Sequence, residues 1–195
     1  MSFDYTPFVT AFLFLIKAVC GFFSMMFILR LLLQWRRISF NNPLGGFVLK
    51  LTNWAVLPLR RLIPGSGGID WASIIAAFFL QLVFFSIALS LRVATSPALS
   101  PLMQERIAAE GGWAFALFTI SLVGLFQQIL YLLILILILQ AVLSWVNPYS
   151  PFAPVLRQLT APILAPIQRV LPPISGIDLS PLVVILLLQA ILMLL

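Results

Sequence analysis

Two aspartates, Asp70 and Asp178, each stand directly before a long apolar run, and each follows a stretch containing prolines and an arginine at matching distances. A carboxylate in that position accepts bonds from the first free N–H groups of the coming helix and meets the positive end of its dipole. It can also accept from a guanidinium, so a pairing with Arg61 or Arg169 is compatible with capping. A proton- or ion-carrying role is the competing reading, and a place at the edge of the apolar run speaks against it. Eleven positions further on stand Gln81 and Gln189, about 16 Å into the run at the helical rise. Amides at that depth seek partners on other helices. With Arg30, Gln34 and Gln140, which occupies the place of Arg30 in a second copy, they are expected to form a buried polar core. Bonding between helices is the expected role, and a polar path for an ion the alternative. Lys17 would cost roughly 2.5–3.5 kcal/mol near a bilayer centre, so it is expected to snorkel outward; a buried functional cation is the other reading.

Other chemistry is excluded by composition. The chain has no histidine, which removes Ser-His-Asp and Cys-His nucleophile systems, His-ligated haem and His-containing metal sites. Its one cysteine, Cys20, forms neither an internal disulfide nor a thiolate cluster and reads as a packed thiol. No catalytic set, metal site or cofactor site is expected. An enzyme acting on lipid would have to rely on Asp70 or Asp178 with an arginine, and neither has a recognisable nucleophile beside it.

These residues are set in a chain of 195 residues that is 63% hydrophobic and 8% charged, against about 25% charged in soluble domains. So few charges cannot cover a water-facing surface, and the chain is expected to be an all-α integral membrane protein. Four apolar runs read as spans: about 8–35, about 71–93, a third within 113–146 and about 179–195. Asp4 and the lack of Lys or Arg in Met1–Pro7 argue against a cleavable signal, so the first run reads as a retained span.

Between the runs lies an internal repeat. Residues 42–70 read NPLGGFVLKLTNWAVLPLRRLIPGSGGID, and residues 150–178 read SPFAPVLRQLTAPILAPIQRVLPPISGID. An offset of 108 matches Pro43 with Pro151, Thr52 with Thr160, Pro58 with Pro166 and Arg61 with Arg169. It also matches Pro64 with Pro172, Gly68 with Gly176, Asp70 with Asp178 and Gln81 with Gln189. Upstream, Trp35 matches Trp145 at an offset of 110, so the first copy holds two extra residues. The chain therefore divides into a first repeat over 1–93 (connector 36–70), an extracytoplasmic linker over 94–112 and a second repeat over 113–195 (connector 147–178). Two crossings per copy make the copies parallel, related by an axis along the membrane normal.

Each connector reads as a short helix lying in the interface. Phe47, Val48, Leu51, Trp54, Ala55 and Leu62 supply one face, and Lys50, Arg60 and Arg61 the other. Val155, Leu156, Leu159, Ile163 and Leu164 stand against Arg157, Gln158 and Gln168 in the second copy. Pro58 and Pro166 are expected to end or bend these helices. Pro64, Pro172 and Pro173 should force a second break, with Gly67–Gly68 and Gly176 turning into the next span. Arg36, Arg37, Lys50, Arg60, Arg61, Arg157 and Arg169 lie in the connectors. The other side holds Arg106 and Arg92, offset by Asp4, Glu105 and Glu110. The positive-inside rule then puts both connectors in the cytoplasm and both termini outside. Trp35, Trp71, Trp113 and Trp145 near the span ends fit an aromatic belt. A net charge of +6 beside lipid-length runs points to anionic headgroups, not nucleic acid.

The motif resembles the YggT (YlmG-related) family: Trp, then Asn/Ser-Pro, then L-T-x-x-x-L-x-P-[LI]-x-R-x-[IL]-P, then G-I-D before an apolar helix. Two copies are common in bacterial members, and the likeness covers nearly the whole chain outside residues 94–125. The second copy keeps the pattern, with Asn147-Pro148 after Trp145. The first departs from it, with Arg36–Ser39 inserted and Gly65-Ser66 in place of the second proline of the P-P pair. This resemblance implies a multi-pass protein of the bacterial inner membrane without an established enzymatic activity. It also implies possible links to osmotic-stress tolerance and ion homeostasis, cell division, or, in plastids, cytochrome b maturation. The leading expectation is a non-enzymatic membrane scaffold or assembly protein. In it Arg61 and Arg169, helped by Arg60 and anchored by Trp54, bind lipid headgroups or a membrane-protein partner. An ion-conducting oligomer lined by Gln81, Gln189, Arg30 and Lys17 is the alternative.

Overall fold

The computed structural model describes residues 6–63, 65, 67–95, 101, 105, 109, 111–147, 149–171 and 178–195. Pro64, Pro148, Pro172, Pro173, Gly176, Asp4, Arg106 and Glu110, which carried some of the expectations above, lie outside them.

The fold is all-helical. The helices bounded by described residues are, in chain order, α1 (Thr6–Trp35), α2 (Pro43–Leu62), α3 (Trp71–Thr95), α4 (Trp113–Val146), α5 (Ala153–Val170) and α6 (Ser180–Leu194). Three of them, α1, α3 and α4, are long and apolar enough to cross a membrane and are apolar all round, as a lipid-surrounded helix must be. The fourth apolar run forms a shorter helix. The 15 residues of α6 reach about 22 Å, short of the ~30 Å hydrocarbon core. Pro181, lacking an N–H, suits the first turn of this helix.

Each connector forms a helix that buries one face, and the two copies bury it at the same register. In α2 the buried positions are Gly45, Val48, Thr52 and Val56. In α5 they include Ala153, Leu156, Thr160 and Leu164, each 108 residues later. Of the residues expected on the apolar face of α2, Val48 is buried while Phe47, Trp54 and Leu62 are exposed, and Thr52 turns inward with Val48. Of the two outcomes expected at the prolines, an end or a bend, neither helix ends there. Pro58 lies inside α2, and Pro162 and Pro166 lie inside α5. All three rings are on exposed faces, where a slight bend relieves the clash with the preceding turn.

α1 ends in a Schellman turn. The N–H of Arg37 donates to Gln34 O and that of Ile38 to Leu33 O, both at 2.9 Å, with Arg37 at φ 52 in the place glycine usually takes. Four residues on, Asn42 caps α2 by accepting from Gly45 N at 2.8 Å. Gly45 is required there, because a Cβ would lie 2.7 Å from Phe40 Cα. Before α3, Gly67 and Gly68 adopt φ 64 and 80 and supply the expected turn.

α1 packs on α3, and α2 lies against both. α5 lies likewise against α4 and α6, while α4 meets α1 and α3. One apolar core gathers Phe27, Leu33, Val48, Val56 and Ala77 with Leu132, Leu156 and Leu159. A second, of Leu130, Leu137, Leu164, Val184 and Leu188, joins α4, α5 and α6.

Candidate functional site

The most chemically dense point of the fold is where α2 crosses the end of α1 and the start of α3. Arg30 on α1 is only 2% exposed and Asp70 is fully buried. An isolated charge in such a place would cost many kcal/mol, so it must be paired and hydrogen-bonded. Arg30 Nη1 donates to Thr52 Oγ1 at 2.7 Å and to Asn53 Oδ1 at 2.9 Å, and its Nε lies 3.5 Å from Asp70 Oδ2. Thr52 passes its own proton to Val48 O at 2.7 Å. Arg60 grips the carboxylate in a fork, Nη2 to Oδ2 at 2.6 Å and Nε to Oδ1 at 3.2 Å, and also donates to Gln34 Oε1 at 2.7 Å. Ser73 Oγ donates to Asp70 Oδ2 at 2.7 Å.

Burial pushes the Asp70 carboxyl up. The hydrogen bonds from Arg60 and Ser73 and the charges of Arg60 and Arg30 outweigh it, and the group ends below the ordinary carboxylate range. Asp70 is therefore ionised at neutral pH, held among two guanidiniums and a hydroxyl. The cluster pins α2 to α1 and α3 and leaves one positive charge in excess.

A version of the same pin without its arginines stands in the second half. Thr160 Oγ1, equivalent to Thr52, donates to Gln140, which stands where the first half has Arg30. It also lies 3.0 Å from Leu156 O, the equivalent of Val48 O. Gln168, 108 residues after Arg60, donates to Asp178 Oδ2 at 2.8 Å. Asp178 Oδ1 accepts from Ser180 N at 2.9 Å, while the residue at the N-cap of α6 is Leu179. Burial raises this carboxyl, and its bonds from Ser180 and Gln168 lower it by more.

The expected polar residues are thus dispersed. Arg30 and Gln34 join the Asp70 cluster. Gln140 belongs to the second pin. Gln81 is buried, its amide oxygen against the bare backbone of Gly124. Gln189 lies on an exposed face of α6, so the five do not form one core; α6 turns Val184 and Leu188 inward instead. Arg60, expected to help bind headgroups, is 36% exposed along its side chain and committed to Asp70 and Gln34. Asp70 pairs with it and not with Arg61. Arg61, Arg169, Lys50 and Arg157 are exposed. Trp54 is exposed too, its indole N–H on Leu51 O and its ring edge-on to Phe23 at 6.1 Å. Lys17 lies on the outer face of α1, where its chain is free to snorkel.

Three features of the assembly lie beyond the sequence reading. Gln168 was legible as the partner at offset 108 from Arg60. Gln128, whose amide donates to Gly21 O at 3.2 Å across α4 and α1, carries no such signal. The third feature is Arg36, whose Nε donates to the backbone carbonyl of Gln158 in α5 at 3.2 Å. Pro162 has no N–H to give that carbonyl, and the inserted segment after Trp35 brings the guanidinium that takes its place.

Long apolar helices carrying two versions of one connector pin, with and without its arginines, define a helical integral membrane protein. The CCB3/YggT family model matches residues 9–91 and 119–195, one segment in each half. The chain belongs to this family. It is 36% identical over 180 residues to the "Uncharacterized protein YggT" of Escherichia coli K12, covering 91% of this chain and 85% of that one. A protein of Vibrio alginolyticus is 36% identical over 179 residues, covering 90% and 88%. One from Haemophilus influenzae is 27% identical over 170 residues, covering 87% and 82%. Both are also described as uncharacterized. No solved structure matches the chain.

Proposed function

We propose that this protein is a non-enzymatic scaffold of the bacterial inner membrane. Its two connector helices lie along the cytoplasmic leaflet and present cations to anionic headgroups or to the acidic surface of a membrane-protein partner, a second copy included. The reading takes the chain as two parallel repeats, 1–93 and 113–195, joined by an extracytoplasmic linker over 94–112, with four crossings and both termini outside.

The observation that carries it is the pairing of a hydrogen-bonded inner pin with an exposed outer charge at the same places in both copies. Thr52 and Thr160, Arg60 and Gln168, and Asp70 and Asp178 face inward or to one another. Arg61 and Arg169, one residue past the pin, face out. A helix held this firmly costs little to order when it binds, and exposed guanidiniums suit phosphate and carboxylate groups. An ion conductor has less behind it. Lys17 and Gln189 lie on outward faces, and Arg30 is buried and committed to Thr52, Asn53 and Asp70.

Single cysteines at 61 and 169, in a Cys20→Ala background, test the arrangement by labelling sealed vesicles of each orientation. Both should react from the cytoplasmic side alone, and reaction from opposite sides overturns the reading. The Arg61→Glu/Arg169→Glu protein should insert normally and lose co-purifying anionic lipid or its cross-linked partner. Unchanged lipid and partner content would count equally against it.

A further inference from the structure

Beside the pin, α1, α2 and α3 enclose an apolar groove of about 430 Å³, within the ~300–1,000 Å³ usual for ligand sites. Phe27, Trp54, Pro58, Ala76, Phe79 and Leu80 are among its walls. The groove opens outward: Trp54 is 64% exposed and Phe79 59%. It runs from α2 to Leu80, nine residues beyond Trp71 where α3 begins. That is about 13 Å along the helix, close to the ~15 Å of one leaflet.

Lys50, Trp54, Pro58 and Arg61 follow one another at i, i+4, i+8 and i+11, a single row along the surface of α2. The groove wall therefore continues directly into two exposed cations. α2 contains no Asp or Glu, and Asp70 is already taken by Arg60 and Arg30. Among the described residues the charges of Lys50 and Arg61, on either side of this leaflet-deep apolar slot along α2, thus lack a counterion.

We infer that this groove binds one anionic phospholipid, an acyl chain lying between Trp54 and Phe79 and the phosphate set between Lys50 and Arg61, which flank it along α2 about 16 Å apart and act on it from about a screening length on either side. The site rests on the reading of α2 as an interfacial helix and sharpens it from a general affinity to a single place. The second half does not repeat its lining. At offset 108 Lys50 becomes Gln158, Trp54 becomes Pro162, Ala76 becomes Val184 and Phe79 becomes Leu187, and of the two cations only the arginine persists.

The test uses the full chain in phosphatidylcholine vesicles containing a small fraction of phospholipid with a diazirine midway along one acyl chain. Phosphatidylglycerol and phosphatidylcholine probes are compared, and cross-linked peptides are mapped by mass spectrometry. The phosphatidylglycerol probe should mark α2 and α3 around Trp54 and Phe79 in preference to phosphatidylcholine. Lys50→Glu/Arg61→Glu should reduce that preference by roughly 25-fold, at about 1 kcal/mol per surface cation. Ala55→Phe, which fills the groove, should abolish marking by both probes with helicity retained. Equal marking by the two probes, or marks spread evenly over the outer faces of α1 and α4, overturns the site. Sidedness of labelling at positions 61 and 169 is independent of this result, so the site can fail while the scaffold reading stands.

Discussion

Replacing Asp70 by Asn tests the pin most directly, because it keeps the shape of the side chain and removes only its charge. Arg30 would then be 2% exposed with no anion within reach, facing a second guanidinium on Arg60. Breaking a buried ion pair from one side costs about 3–5 kcal/mol, most of it the price of the stranded partner. The second half provides an internal control. Asp178→Asn keeps an acceptor for Ser180 N and Gln168 and removes only a charge near the helix start, a loss of about 0.3–1 kcal/mol. A rescue follows from the same reasoning. Arg30→Gln installs the residue type that Gln140 uses opposite Thr160, so Arg30→Gln/Asp70→Asn should be more stable than Asp70→Asn alone. The assay is the unfolding midpoint of purified protein in mild-detergent micelles, titrated with a denaturing detergent and followed by tryptophan fluorescence and circular dichroism. Equal losses for Asp70→Asn and Asp178→Asn, or a double variant weaker than Asp70→Asn, would refute the claim that a buried charge holds α2 in place.

The depressed Asp70 carboxyl links stability to pH. Its contribution is complete above the ordinary carboxylate value of about 4 and is lost as pH falls through the lower value of the folded protein. The acid limb of an unfolding curve should therefore flatten in Asp70→Asn. Gly45→Ala should cost about 1–3 kcal/mol, since its methyl would meet the Phe40 backbone at 2.7 Å; the same unfolding titration reads it. Arg36→Ala should free the Gln158 carbonyl and loosen α5 by about 1 kcal/mol. Faster amide exchange confined to α5 and the end of α1 would be its signature.

The lipid-length helices and the doubled connector were legible because they follow from composition and from offsets, which are properties of the chain alone. Helix bounds at Trp35, Trp71, Trp113 and Val146 lie where the apolar runs meet tryptophan and polar turns. Which part of the apolar face of α2 turns in was not legible. Hydrophobicity groups Val48 with Phe47 and Trp54, but Arg30 needs an acceptor and Thr52 supplies it, so the buried charge on α1 decides which of them face the bundle. For the prolines an end and a bend were both open. A proline on an exposed helix face forfeits one bond and little else, and burial is a tertiary property.

From residues alone came a membrane protein, its internal duplication and the aspartates at the thresholds of the apolar runs, because hydropathy and repetition need no partner to be read. Only the fold could choose Arg60 over Arg61 for Asp70 and lead Arg36 to the carbonyl that Pro162 leaves open. It alone turned Gln189 away from the other amides. Adjacent residues on a helix point about 100° apart, and which of two neighbouring arginines meets a carboxylate is settled by the packing of three helices.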